Sequence, residues 1–156
     1  MKDTINFYRQ TNAYGEFSNF YYAPIVIDGL EWPTTEHYFQ AQKFAHLPDS
    51  EYVEMIRVTP QPGSAAKMGR NRSWPLRPDW EEIKDDVMRA CVLQKFLQHP
   101  KMADVLLGTG DRYLNGKCMG LIEFRWNVML MSRKTCPLSS DPPLLISIML
   151  SRTYLQ

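Results

Sequence analysis

Apolar positions recur most regularly in DWEEIKDDVMRACVLQKFLQH, where Ile83, Val87, Met88, Cys91, Val92 and Phe96 follow one another at helical spacing. Such spacing lays one apolar stripe along a helix and predicts a long amphipathic core helix. Asp79, with Glu82 three positions later, forms an aspartate version of the capping box that starts such a helix. Four shorter helices are predicted around it. The first runs from Thr34 to about His46, with Pro33 before it, Thr34 or Thr35 as cap and Pro48 beyond its end. A second is capped by Asp49 or Ser50 and reaches Val58, and GSAAKMGR supplies a third that stops at Gly69. After Pro100, KMADVLL continues to the Gly108-Thr109-Gly110 punctuation.

Strand signals sit near the start. INFYR, Ile5 to Arg9, is short and β-prone, and PIVIDGLEW holds Asp28-Gly29, a dipeptide suited to a tight hairpin turn. Between them GEFSNFYYAP reads as a loop, but its aromatic residues imply that it packs on something. Beyond Asp111, RYLNGKCMGLIEFRWNVMLMSRK fits strand or helix equally, and TCPLSSDPP has the composition of a linker without a core of its own.

Length and charge narrow the picture. A chain of 156 residues has room for one domain with a real core. A net charge of +1 from 18 basic and 17 acidic residues gives no global field toward nucleic acid or an anionic membrane, so any anion binding is local. Cys91, Cys118 and Cys136 are widely spaced, with no CxxC and no histidine at ligand spacing, and read as free thiols in a reducing compartment. The first residues lack a signal-peptide pattern and no segment reaches the roughly 20 apolar residues of a membrane span. A cytoplasmic protein is expected.

The densest candidate chemistry lies in WPTTEHYFQAQKF. On a helix beginning near Thr35, each residue advances about 100°, so Glu36, Gln40 and Lys43 fall on one stripe, flanked by Phe39 and Phe44. His37 turns away from Glu36, so adjacency does not make them a dyad. Glu36 has two readings: a solvated acid favoured beside the positive end of a helix, or a carboxylate in an aromatic wall, with a raised pKa suited to handling protons or a cationic sugar centre. His37, His46 and His99, scattered at helix starts and ends, read as surface or capping residues rather than ligands. No HExxH pair, GxSxG elbow, phosphate-binding GxxxxGK[ST] loop or GxGxxG turn occurs.

KMGRNRSWPLRPDW places Lys67, Arg70, Arg72 and Arg77 around a helix end, with Trp74 and Trp80 among them. Guanidinium groups bind phosphate and indoles stack on bases. Equally, the segment can be a solvated loop that its tryptophans anchor to the core. With so little net charge, a single phosphate site fits better than an extended nucleic-acid track.

INFY, FSNF, WPTTEHYFQAQKF, AAKMGR, RPDWEEIKDDVMRACVLQKF and LLGTGD occur in the order seen in the NADAR (YbiA-like) family, which the chain resembles over about residues 5–111. The resemblance implies an α+β, mostly helical, single compact domain with a small N-terminal antiparallel β-hairpin or sheet. It implies an N-glycosidase acting on phosphoribosylated compounds, such as early riboflavin-pathway intermediates, or on ADP-ribosylated guanine, with no metal or organic cofactor. The alternative reading is a catalytically weak module that binds ADP-ribose or a nucleotide. By position, Glu36 takes the catalytic role and Trp80 belongs to the site. Asn19 and Phe20 would shape the pocket, Gln40 and Lys43 would contact substrate, and Gly69 and Arg70 would serve the phosphate.

From about residue 112 the chain departs from the family pattern, with at most Trp126, Asn127, Leu130, Met131 and Arg133 echoing it. A family domain over residues 1–133 and a divergent, poorly ordered tail over residues 134–156 are therefore expected.

Overall fold

The structure, a computed structural model, describes residues 4–7, 10–48, 50–110, 112–117 and 123–127. The elements run β1 (Thr4–Phe7), a 3-10 turn (Gly15–Phe17), β2 (Ile25–Ile27), β3 (Leu30–Trp32), α1 (Thr35–Ala41), α2 (Glu51–Arg57), α3 (Pro62–Met68), α4 (Trp80–Gln98), α5 (Pro100–Gly108), β4 (Tyr113–Lys117) and β5 (Glu123–Asn127). This is the expected α+β, mainly helical class, with five helices and two small sheets among the described residues. The chain forms two compact units, residues 19–95 in one and residues 1–18 with 96–156 in the other.

In the unit of residues 19–95, β2 and β3 form the antiparallel hairpin, with Ile25 opposite Trp32 and Ile27 opposite Leu30. Asp28 and Gly29 turn it in left-handed conformation, φ 53° and 77°, the backbone that a two-residue hairpin of this type requires. Helices α1, α2 and α3 are each seven residues long, too short to persist alone in water, so packing holds them. They pack on one another, and α1 also meets β3. Ile25, Phe44, Ile56, Ala65, Met88 and Cys91 fill the interior. The apolar stripe of α4 is inward as predicted at Met88, Cys91 and Val92, while Ile83 and Val87 are only partly buried.

Helix α1 stops at Ala41 rather than near His46. The amides of Lys43 and Phe44 turn to carbonyls three residues back, those of Gln40 and Ala41, at 3.4 and 2.9 Å. The segment just past the helix is tied to a distant loop: the Arg77 amide donates to the Lys43 carbonyl at 2.9 Å and the Arg77 guanidinium to the Gln42 carbonyl at 3.4 Å. Around Asp79 the local detail also differs from a capping box. Its carboxylate takes two N–H bonds from Arg77 at 2.7 and 3.0 Å, and its carbonyl receives the amides of Glu82 and Ile83.

In the other unit, β1 does not join the hairpin. It pairs in parallel with β4, Thr4 opposite Tyr113 through Phe7 opposite Gly116, and β4 pairs antiparallel with β5. The ambiguous segment after Asp111 thus supplies strands. Phe17 explains the aromatic loop: it is buried, with its ring 5.6 Å from Phe7 and 5.8 Å from Phe96, both edge-on. Of the expected family echoes, Trp126 and Asn127 fall in β5. Leu130, Met131 and Arg133, the tail over residues 134–156, and Cys118 and Cys136 lie outside the described residues. Cys91 is a buried free thiol.

Candidate active site

The start of α1 is built from three segments. Thr34 is its cap, in extended backbone, with its hydroxyl oxygen accepting the His37 amide at 3.4 Å. The Glu36 amide, a donor that a helix start leaves unpaired, goes to the Asn19 carbonyl at 3.2 Å. The Thr35 hydroxyl lies 3.1 Å from Asn19 Oδ1, and Asn19 Nδ2 lies 3.3 Å from Met88 Sδ on α4. Loop, α1 and α4 are therefore tied together where the Glu36 side chain leaves the helix.

Glu36 is only 5% exposed, which rules out the reading of a solvated first-turn acid. Its Oε1 accepts the Gln40 amide N–H at 2.7 Å, one turn along the same stripe. Burial raises its pKa above the ordinary carboxylate value, while the Gln40 bond and the charges of Lys43 and Arg70 pull it back without cancelling the rise. Lys43 lies in the turn just past α1. Its Nζ donates to the Gly69 carbonyl at 2.9 Å and lies 5.5 Å from the Trp80 ring centroid and 5.9 Å from that of Phe39. Burial lowers the Lys43 pKa, the Glu36 carboxylate raises it, and Arg70 and Arg72 press it down. Two positive side chains, Lys43 and Arg70, thus act on the Glu36 carboxylate.

Phe39 and Trp80 form an aromatic wall beside the Lys43 ammonium, their centroids 5.0 Å apart and their planes tilted by 60°. Trp80 is 5% exposed and so lines the wall rather than standing out from it. Phe44 faces elsewhere, against Trp74 at 5.3 Å and Tyr52 at 5.9 Å. Trp74 also stacks on Tyr52 at 4.5 Å. For Trp74 the anchoring reading of the basic loop therefore holds. Arg70 follows α3 on the exposed side, Phe20 is partly buried, and Asn19 and Gln40 are buried.

His37 overturns its expected role. It is fully buried, with Nε2 3.0 Å from the Thr59 carbonyl and Nδ1 2.8 Å from the Thr34 hydroxyl. A carbonyl only accepts, so Nε2 carries the proton and Nδ1 accepts from Thr34. Burial lowers its pKa from the usual 6.5, opposed by the Thr59 bond. The unfolded chain then binds a proton at mildly acid pH that the folded chain refuses. Stability from this group is complete above 6.5 and is lost as pH falls through the lower folded value. His37→Phe should cost about 1–3 kcal/mol for each partner left unpaired at pH 7.5. It should also flatten the loss of stability on acidification, as read by urea unfolding at two pH values.

Thr35 and Met88 escape a reading based on motifs, since their roles are to hold Asn19. Lys95 is a further surprise: 1% exposed, with its Nζ 5.6 Å from the Tyr21 ring centroid. Its place three residues after Val92 and four after Cys91 put it on the apolar stripe of α4, which was the available signal. Among the described residues no group of His, Cys, Asp and Glu side chains is placed to hold a metal ion. Nor is any helix among them long and apolar enough to cross a membrane.

The NADAR domain matches residues 6–117, past the expected limit of 111 and through β4. An N-glycosidase YbiA of Shigella flexneri serotype 5b is 54% identical over 115 residues, covering 73% of this chain and 70% of that protein. A riboflavin biosynthesis protein of Vibrio vulnificus is 38% identical over 114 residues, 73% of this chain and 30% of its own length. The solution NMR structure of Escherichia coli YbiA superposes with a TM-score of 0.66 at 50% identity, covering 74% of this chain and 68% of that one. With the family domain spanning most of the chain and every member of the Glu36 stripe inside it, this protein belongs to the NADAR family.

Proposed function

We propose that the chain is an N-glycosidase that hydrolyses the bond between a ribose 5-phosphate unit and the nitrogen of a base-like group. The observation that carries this reading is the Glu36 carboxylate, buried and held by Gln40, in a chain similar to proteins named N-glycosidases. A relative named for riboflavin biosynthesis supports an early intermediate of that pathway as the substrate class.

In the reaction the bond from the ribose anomeric carbon to nitrogen breaks, its electron pair leaving with the nitrogen, which takes up a proton. The sugar carbon becomes oxocarbenium-like. Glu36 Oε1 is engaged by Gln40, which leaves Oε2 to face that positive centre and to take a proton from the attacking water. A carboxylate with little solvent around it interacts more strongly with such charge and is a better base than an exposed one. Arg70 binds the phosphate, with the Lys43 and Arg72 charges adding to the field there. Asn19 and Phe20 shape the sugar side, and Trp80 with Phe39 forms the wall against the base.

Incubation of the purified chain with a phosphoribosylamino-pyrimidine should release ribose 5-phosphate. Arg70→Ala should raise KM about tenfold for the phosphorylated substrate, the loss expected for one charge-assisted contact, and leave KM for the dephosphorylated analogue unchanged. Release of ADP-ribose from a modified guanine, with no action on the pyrimidine, would move the substrate to nucleic acid while keeping the bond type. Binding of both without turnover would overturn the glycosidase reading.

A further inference from the structure

Gly69 is a glycine without a backbone reason. It ends α3 at φ −65° and ψ −11°, ordinary right-handed values open to any residue, not the left-handed cap that usually calls for glycine. The reason is space. A β-carbon at this position would lie 1.9 Å from Gln40 Oε1, 2.7 Å from Gln40 Cδ and 2.9 Å from Gln40 Cβ. The whole Gln40 side chain therefore lies across the face that Gly69 leaves bare.

Gln40 has no slack in this arrangement. Its Nε2 is committed to Glu36 at 2.7 Å, and its buried Oε1 has no hydrogen-bond partner among the described residues. Gly69 also gives its carbonyl to Lys43, in the turn just past α1. One backbone position thus touches both neighbours of the carboxylate.

We infer that Gly69 is a positioning residue for Glu36, acting through Gln40: the missing side chain is the space in which the Gln40 amide lies to donate to the carboxylate. Gln40 is then a support for the catalytic group, not a contact to substrate, and Gly69 serves the carboxylate as well as the phosphate side. This inference rests on the glycosidase reading for its catalytic meaning but not for its geometry.

Loss of the Gln40 bond removes an influence that lowers the Glu36 pKa, so Glu36 should titrate higher. Carboxyl-carbon NMR should show Gly69→Ala raising the Glu36 titration by about one pH unit, the size of a lost hydrogen bond to the charged form. Gln40→Gly, which removes all three crowded atoms, should raise it similarly. The double variant should titrate no higher than Gln40→Gly alone, because both changes remove the same contact. The acid limb of kcat/KM should move with the titration in each variant. A Gly69→Ala protein whose Glu36 titrates as before, or shifts that add in the double variant, would overturn the inference. If Gly69→Ala does not fold, the double variant should fold, and its failure to do so counts equally against it. Absence of turnover in the unaltered chain would sink the glycosidase reading while leaving the NMR result to decide this one.

Discussion

Glu36→Gln should lower kcat by about a thousandfold or more, the range for removing a positioned proton-handling group, while leaving the fold intact or strengthening it. The two effects share one cause. Burial raises the Glu36 pKa, so the folded chain is reluctant to carry the charge. A carboxyl whose pKa is raised on folding contributes stability that is complete below its unfolded value, 4.5, and is lost as pH rises through the folded value. Glutamine has no charge to bury, so the variant keeps that stability at neutral pH. At pH 7 its Tm should exceed that of the unaltered chain, by about 2–4 °C for each kcal/mol relieved, and the two should converge below pH 4.5. Activity of the unaltered chain should fall on acidification at a pH above the ordinary carboxylate range, since the ionised form does the work. A variant that keeps more than a tenth of kcat, or whose Tm falls equally at every pH, would show that Glu36 is a structural residue.

Trp80→Ala should be the most damaging single change to stability, and should lower activity as well. Trp80 opens α4, is buried, and meets Phe39 at 5.0 Å and the Lys43 ammonium at 5.5 Å. Removing a buried indole costs about 3–5 kcal/mol through lost transfer energy and the cavity left behind. The cation over its face loses an interaction of about 0.5–2 kcal/mol. Lys43 and Phe39 would then be free to shift beside Glu36, and a small misplacement there should lower kcat/KM by about a hundredfold. Trp80→Phe should recover most of the stability and part of the activity. Urea unfolding and steady-state kinetics on the two variants separate the contributions. Near-normal kcat/KM in a destabilised Trp80→Ala protein would confine this residue to packing.

Much of this architecture was legible in local patterns. The 3.6-residue stripe named α4, Asp28-Gly29 named the hairpin, and the 100° step placed Glu36 and Gln40 together and set His37 apart, whereas Lys43 lies in the turn past the end of α1. These are properties of short segments, fixed by backbone geometry within a few turns. The errors came where a distant residue decides. Helix α1 ends early and the turn after it is held by Arg77 from a distant loop, and β1 finds its partner in β4 across more than a hundred positions, Asn115 bonding Asn6 from 109 residues away.

The chemistry divides along the same line. The sequence alone determined which groups share a stripe and that no familiar metal, nucleotide or serine-hydrolase motif is present. Only the tertiary structure decided that Glu36 is withdrawn from water, that Asn19 holds the helix start, that His37 is a neutral core residue and that Gly69 is bare to make room for Gln40. Solvation and steric exclusion depend on everything that surrounds a side chain, whereas helical phase depends only on its neighbours along the chain.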